Sequence, residues 1–188
     1  VIVGDQQQLP PSNQFNANTD DDEDEENDLV EESILDLATS RFRANRMLKW
    51  HYRSRHESLI DFSNHHFYQN QLIIPPSPIT KSAVTTTKVD AYYKGKINIQ
   101  EKDKLIKDII PFMSKNIRKG DGDKKSKSCL IVTMNIFQAE SIEDDLNKKK
   151  LEFPIIEEYE NSWKDTGEEF TVKNLESVQG DERDVIFI

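Results

Sequence analysis

Cys129-Leu130-Ile131-Val132 decides the fold of this chain, because the start of a helix follows it almost at once. A short apolar run of this kind predicts a buried strand. Asn135 to Gln138 then resembles a helix cap, in which a side-chain oxygen accepts a backbone N–H of the first helical turn. Ala139, Ile142 and Leu146 line one face of the helix that this cap begins. The stretch therefore predicts a buried strand that leads directly into an amphipathic helix.

Other parts of the chain are also rich in β-branched and aromatic residues, which favour strands. The strands predicted in this way cover Leu48 to Tyr52, residues 84–93, Val172 to Val178 and Val185 to Ile188. Strands that alternate with helices predict an α/β fold with a parallel sheet and helices on its faces.

Two further helices are predicted from apolar spacing. Val30, Ile34 and Leu37 are spaced for one short amphipathic helix. Asn98 to Glu101 can cap another, and we expect Pro111 to end or kink it, since proline lacks the N–H that continues a helix.

Ser54 to Glu57 matches a capping box, in which the serine and glutamate side chains satisfy backbone N–H groups at a helix start. A helix is therefore predicted directly after the strand at 48–52. Arg53 would lie at the junction of the two elements and point away from the core.

Composition limits the class of protein. The length of 188 residues suits one domain, or one domain with part of another. The net charge of −10 by itself argues against a nucleic-acid partner, but eight acidic residues between Asp20 and Asp28 carry most of it. Such a run repels itself, which predicts a solvated loop.

Cysteine and hydropathy patterns exclude other classes. Cys129 is the single cysteine, and with no compact histidine cluster a metal site in this chain is not expected. No apolar run approaches the roughly 20 residues that span a bilayer, so no membrane partner is expected. The absence of an internal disulfide fits a reducing compartment, and we expect the cytoplasm.

Three polar segments adjoin predicted strands, the first of which is predicted to end at residues 1–3. They are Gly4-Asp5-Gln6-Gln7-Gln8-Leu9-Pro10-Pro11, Trp50-His51-Tyr52-Arg53 and Val178-Gln179-Gly180-Asp181-Glu182-Arg183-Asp184. In this order they resemble motifs III, IV and V of superfamily 1 helicases. The resemblance is greatest to the Upf1-like branch, which includes large bacterial AAA-domain helicase-like proteins. It covers nearly the whole chain and implies a RecA-like P-loop NTPase fold.

The resemblance implies catalytic roles for three residues. Arg53 would place a fixed positive charge near the γ-phosphate of ATP, where negative charge develops during phosphoryl transfer. Gln8 would orient a water or sense the γ-phosphate, since an amide both donates and accepts. Glu182 would accept a hydrogen bond from a ribose hydroxyl or position the γ-phosphate region.

Further residues are implied to bind ATP and a single nucleic-acid strand. Tyr52 would pack against the adenine or ribose, while Gln179 and Gly180 would lie beside the nucleotide. Nucleic-acid contacts are implied for Thr133, Asn174 and Pro10, although relatives carry a threonine where Asn174 stands. The implied partner is single-stranded nucleic acid, with DNA favoured over RNA.

Structural interpretations of the same residues stay open. Gln8 would then be an ordinary loop amide and Arg53 a surface side chain. Glu182, Arg183 and Asp184 would form internal salt bridges. The basic loop between Lys115 and Lys127 would be solvated rather than bound to phosphates.

Some motifs of the family do not occur in this chain. There is no Gly-x-x-x-x-Gly-Lys-Ser/Thr loop, no Asp-Glu-Ala segment before motif III and no arginine-bearing motif VI. The ligands of Mg²⁺ are thus expected outside these residues, and the chain alone is expected not to hydrolyse ATP. Because both ends, Val1 and Ile188, lie in apolar runs, we expect a piece of a longer protein.

The combined prediction is part of an ATP-dependent helicase or translocase. Residues 1–28 would be the tail of the first RecA-like domain with an acidic loop, and residues 29–188 most of the second. The rest of the first domain and motif VI would come from the missing chain. Two alternatives remain, namely a degenerate binding module of the same fold that does not hydrolyse ATP, and an acidic interaction protein that acts through residues 20–28.

Overall fold

A computed structural model describes residues 1–8, 34–42 and 46–188. They divide into two compact units, residues 1–87 and residues 88–188. The predicted domain boundary between residues 28 and 29 stays a prediction. Pro10, Val30 and the acidic run at 20–28 lie outside the described residues.

A three-stranded parallel sheet organises the unit formed by residues 88–188. Its strands are β1 (Cys129–Thr133), β2 (Thr171–Asn174) and β3 (Val185–Phe187), in the order β2-β1-β3. Ile131 pairs with Val172 on one side and with Phe187 on the other. Every residue of β1 is buried, as its apolar sequence predicts for a central strand. The predicted α/β fold, a parallel sheet with flanking helices as in RecA-like proteins, is confirmed.

Three helices flank this sheet. They are α3 (Ile99–Lys115), α4 (Ile136–Lys149) and α5 (Ile155–Trp163). Asn98 and Asn135 cap α3 and α4 by accepting the N–H groups of Glu101 and Gln138, as the sequence predicts.

Pro111 does not end α3, so that part of the prediction is wrong. The helix continues to Lys115. Pro111 and Lys107, whose carbonyl loses its intrahelical donor, are both exposed, and water can satisfy the carbonyl. Ile109 and Met113 on the opposite side are fully buried and hold the helix against the core.

The core of this unit lies where β1 meets the three helices. Tyr159 of α5 is fully buried at its centre, and its hydroxyl donates to the Lys127 carbonyl at 3.0 Å. Phe112, Trp163 and Phe170 pack around its ring. Residues from α3, β1, α4 and α5 complete the cluster: Ile106, Ile109, Met113, Cys129, Ile131, Ile142, Leu146 and Ile156.

The unit formed by residues 1–87 contains α1 (Ile34–Arg41), a 3-10 turn (Glu57–Leu59) and α2 (Asp61–His66). The strand predicted at 48–52 is wrong, because Trp50 makes only an isolated bridge to Ile73. Leu48, Trp50 and Tyr52 are 74%, 68% and 87% exposed, so the segment has no buried face. The strand predicted at 84–93 is also not formed among the described residues.

The capping box predicted at Ser54 is replaced by a histidine cap. His56 Nδ1 accepts the Ser58 N–H at 3.1 Å, so the ring must donate through Nε2, which lies 2.9 Å from the Ile79 carbonyl. Glu57 does not reach back to residue 54 but accepts the Ser77 N–H at 2.8 Å. Among the described residues, no helix has the length and apolar character that crossing a membrane requires.

Candidate functional site

The Asp5 carboxylate organises the loop that contains Gln8. Its Oδ1 accepts a hydrogen bond from the Gln7 N–H at 3.0 Å. Its Oδ2 accepts one from the Gln8 side-chain NH₂ group at 3.2 Å and one from the Tyr68 hydroxyl at 2.5 Å. Burial acts to raise the pKa of Asp5, but these hydrogen bonds outweigh it and lower the pKa below its usual value. The carboxylate therefore stays ionised at neutral pH, while the Gln8 side chain is exposed.

The pKa of the Tyr68 phenol is shifted in the opposite direction, upward. Burial and the hydrogen bond to Asp5 raise the pKa of Tyr68 to about 12. The phenol therefore remains protonated and keeps donating to Asp5 across the physiological pH range.

Contacts to α1 fix the beginning of the same loop. Gln6 donates to Asp36 Oδ1 at 3.1 Å and to Thr39 Oγ1 at 3.3 Å. A Cβ atom on Gly4 would lie 2.8 Å from a Leu35 methyl carbon, so a larger residue would displace that side chain. Glycine thus allows the loop to pass close to the helix.

Arg53 and Tyr52 are exposed in the short segment between Trp50 and the 3-10 turn. The imidazole of His51 fixes this segment, since Nε2 accepts the Ser54 N–H at 3.2 Å and lies 2.7 Å from the Ser54 hydroxyl. Backbone hydrogen bonds between residues 49–51 and Ile73 hold its other end. The geometry places a cationic side chain on a constrained, solvent-facing turn.

The turn after β2 has its own internal contacts. Asp181 donates its N–H to the Val178 carbonyl at 3.0 Å, and its carboxylate contacts Lys173 Nζ at 2.5 Å. Gly180 has a positive φ of 91°, which glycine adopts without strain. Gln179 and Glu182 are exposed at the tip of the turn.

Arg183 and Asp184 connect this turn to the sheet. The guanidinium of Arg183 donates to the Glu169 carbonyl at 2.9 and 2.7 Å. Asp184 donates its N–H to Ser128 Oγ at 3.0 Å and accepts the Ser128 N–H at 3.3 Å. These contacts explain why a charged turn precedes an apolar strand, since they anchor β3 beside β1.

The two predicted nucleic-acid contacts on the sheet lie side by side. Thr133 of β1 pairs in register with Asn174 of β2, and they are 7% and 5% exposed. Thr133 Oγ1 donates to the Asn135 carbonyl at 2.7 Å. The Asn174 amide donates to Glu176 at 2.6 Å and accepts the Ser177 hydroxyl. Both side chains are thus engaged in internal hydrogen bonds in this structure.

The basic loop between α3 and β1 closes around Asp123. Its carboxylate accepts the backbone N–H groups of Lys119, Lys125 and Ser126 at 3.0, 2.9 and 3.2 Å. These bonds, that from Lys125 foremost, hold the pKa of Asp123 well below its usual range. The loop is an ordered turn with exposed lysines, a geometry that fits its interpretation as a solvated loop.

The predicted residues are divided between the two compact units. Gln8, Tyr52 and Arg53 belong to the unit formed by residues 1–87. Thr133, Asn174, Gln179, Gly180 and Glu182 belong to the other unit. Within the described ranges, no group of three or more histidine, cysteine, aspartate or glutamate side chains is arranged to hold a metal ion.

Sequence reasoning missed Asp5 and Tyr68 as members of the site. Aspartate beside glycine favours a turn in which its side chain accepts a nearby backbone N–H, and that signal was available at Gly4-Asp5. Tyr68 gave no signal, since it bonds a residue 63 positions away in the chain.

Comparison with known proteins relates the chain to helicases. Over an alignment of 197 residues that covers 99% of the chain, it is 32% identical to the Uncharacterized ATP-dependent helicase MG140 of Mycoplasma genitalium. It is equally similar to the homologue of that protein from Mycoplasma pneumoniae. The chain spans 17% of the length of these curated relatives. No family model and no solved structure matches it.

Proposed function

We propose that this chain is part of an ATP-dependent helicase or translocase of superfamily 1, in the Upf1-like branch. One observation carries the proposal: similarity to proteins named ATP-dependent helicases extends over 99% of the chain. In this proposal residues 1–28 end the first RecA-like domain, and residues 29–188 form most of the second. The protein acts in the cytoplasm.

The side chains present suit a triphosphate. Gln8 and Arg53 are exposed in one compact unit, and they supply an amide and a fixed positive charge. Phosphate oxygens are bound by such groups. Phosphoryl transfer from ATP to water would supply the free energy for movement along the strand. Mg²⁺ would be held by carboxylates outside these residues. Gln179, Gly180 and Glu182 form an exposed turn that would bind nucleotide, and Tyr52 would pack against the base or ribose.

Each group has a defined task in this mechanism. Arg53 stabilises negative charge that develops on the γ-phosphate, and Gln8 orients the attacking water. Thr133, Asn174 and Pro10 contact the backbone of a single strand, with DNA favoured over RNA. Because Thr133 and Asn174 are internally bonded here, they would exchange a protein partner for a phosphate when the strand binds.

The test is the ATPase activity of the full-length protein with and without single-stranded DNA or RNA. We expect a single strand to stimulate the wild type and Arg53→Ala to lower the stimulated rate by about 100-fold. Arg55→Ala is the matched control, an exposed arginine two residues away, and should retain nearly full activity.

Two results would count against the proposal. One is a full-length protein whose ATPase does not respond to any single strand, as expected for a degenerate binding module. The other is stimulated turnover that Arg53→Ala leaves unchanged. The 188-residue chain alone should hydrolyse no ATP above background, since it has no phosphate-binding Gly-x-x-x-x-Gly-Lys-Ser/Thr loop.

A further inference from the structure

Two hydrogen bonds connect Tyr68 to Gln8 through the Asp5 carboxylate. Tyr68 donates its phenolic proton to Asp5 Oδ2, and the Gln8 side-chain NH₂ group donates to the same oxygen. The Gln8 backbone N–H also points to the Asp5 carbonyl, at 3.4 Å. Tyr68 is half-buried, whereas Gln8 is exposed. The hydroxyl of Tyr68 therefore determines where the carboxylate lies, and the carboxylate determines where the amide lies.

The charge of Asp5 also sets the direction of the Gln8 amide. An ionised carboxylate only accepts hydrogen bonds, so the NH₂ end of the amide must face it. The carbonyl oxygen of Gln8 has no partner among the residues that the structure describes. That oxygen is the end available to accept a hydrogen bond from a water molecule, as the water-orienting task requires.

Tyr68 belongs to the same locally closed segment as Arg53. The His51 N–H donates to the Ile73 carbonyl, and the Ile73 N–H donates to the Lys49 carbonyl. These two backbone hydrogen bonds close the segment formed by residues 49–73. Inside it, buried Asn64 of α2 accepts the Leu72 N–H at 3.0 Å, which ties the helix to the returning chain. Displacement of the Arg53 turn would thus be carried to Tyr68.

We propose that Tyr68 is a positioning residue that holds Gln8 through Asp5 and links it to the Arg53 segment. This role rests on the proposed function. With the domain boundary proposed above, Asp5 and Tyr68 belong to different RecA-like domains. Their hydrogen bond, which lies inside one compact unit, then joins the end of the first domain to the second beside the Gln8 amide.

The experiment uses the full-length protein and its strand-stimulated ATPase. Tyr68→Phe removes one hydroxyl, and we expect it to lower kcat by about tenfold with KM for ATP nearly unchanged, since one hydrogen bond to a charged group is lost. Asp5→Asn should have a similar effect, because a carboxamide lets the Gln8 amide face either way. Tyr92→Phe is the matched control, an exposed tyrosine in the other unit, and should match the wild type.

A double-mutant cycle separates positioning from general destabilisation. If Tyr68 acts through Gln8, adding Tyr68→Phe to Gln8→Ala should lower kcat by less than about twofold. If Tyr68→Phe only destabilised the protein, the factors by which the two substitutions lower kcat would multiply. Fully multiplicative effects in the cycle would therefore overturn the role of Tyr68.

A measurement without nucleotide provides the second readout. In hydrogen exchange, the Gln7 and Gln8 amides should exchange faster in Tyr68→Phe than in the wild type, because both lie in the turn that Asp5 holds. Unchanged exchange would overturn the proposal, and Asp5→Asn supplies the same test if Tyr68→Phe does not fold. A wild type without stimulated ATPase would instead refute the proposed function, and this role with it.

Discussion

The side-chain amide of Gln138 pairs with the backbone of Asn98 in both directions. Its Oε1 accepts the Asn98 N–H at 2.9 Å, and its Nε2 donates to the Asn98 carbonyl at 3.2 Å. Both residues are buried, at 3% and 5% exposure. The pair joins the start of α3 to the start of α4, directly beyond the carboxyl end of β1.

Gln138→Ala should therefore destabilise the sheet-containing unit. The substitution leaves the buried Asn98 N–H without its partner, while the Asn98 carbonyl keeps only the bond from the Lys102 N–H at 3.1 Å, and we expect a loss of about 2 kcal/mol in the free energy of unfolding. Urea denaturation followed by circular dichroism measures it. Gln100→Ala, at an exposed position of α3, is the control and should change stability by less than about 0.5 kcal/mol. Equal effects of the two variants would contradict the importance of this pair.

Lys102 and Asp145 form an ion pair between α3 and α4. Lys102 is 9% exposed and also donates to Ser141 at 3.0 Å. The hydrogen bond from Lys102 lowers the pKa of Asp145 despite partial burial. A carboxyl whose folded pKa is depressed stabilises the protein above its unfolded pKa of about 3.9, and the stabilisation disappears as the pH falls through the folded value.

Lys102→Met should thus reduce stability at pH 7 and flatten its dependence on pH below about 4. We expect a loss of about 2 kcal/mol at neutral pH, less than for a fully buried pair because Lys148 remains 3.2 Å from Asp145. Lys104→Met is the matched control on the same helix, since the Lys104–Asp108 pair is exposed, and it should cost at most about 0.5 kcal/mol. Parallel pH profiles for the two variants would refute this account.

The sequence predicted the sheet-containing unit better than the other unit, for a physical reason. β1 and its helix are local patterns, and Asn135 caps α4 as predicted. Helix α5 was missed, although Ile156, Tyr159 and Trp163 lie on one helical face and are buried. The strand predicted around Trp50 failed because apolar residues alone cannot supply a pairing partner.

The candidate site shows the same limit. The segments containing Gln8, Arg53 and Glu182 could be selected from sequence, since each has a local motif. The contact of Asp5 with Tyr68 could not, because it joins residues 63 positions apart and depends on tertiary structure. The sequence thus indicates which side chains are candidates for the site, whereas the residues that orient those side chains are identified only from the structure.

Cys129 should be unreactive in the folded protein. It is fully buried in β1, and burial raises the pKa of its thiol to about 12. At pH 8 we expect alkylation by iodoacetamide to be at least about 100-fold slower in the native protein than in urea, since the thiolate is the nucleophile. Mass spectrometry of the single cysteine measures both rates. Similar rates in the two conditions would show that β1 is not protected from solvent.

Gly180→Ala separates the conformation of the turn from its predicted contact with a nucleotide. Gly180 has a φ of 91°, and a Cβ atom there would meet nothing within 4 Å, so the cost to the folded protein is backbone strain alone, about 1 kcal/mol. Gly122→Ala is the control, because its Cβ would also be in open space but its φ is not positive, and it should be neutral or slightly stabilising. If the backbone at Gly180 also approaches the nucleotide, Gly180→Ala should raise KM for ATP in the full-length protein more than its small loss of stability explains. An unchanged KM for ATP would show that Gly180 only shapes the turn and does not contact the nucleotide.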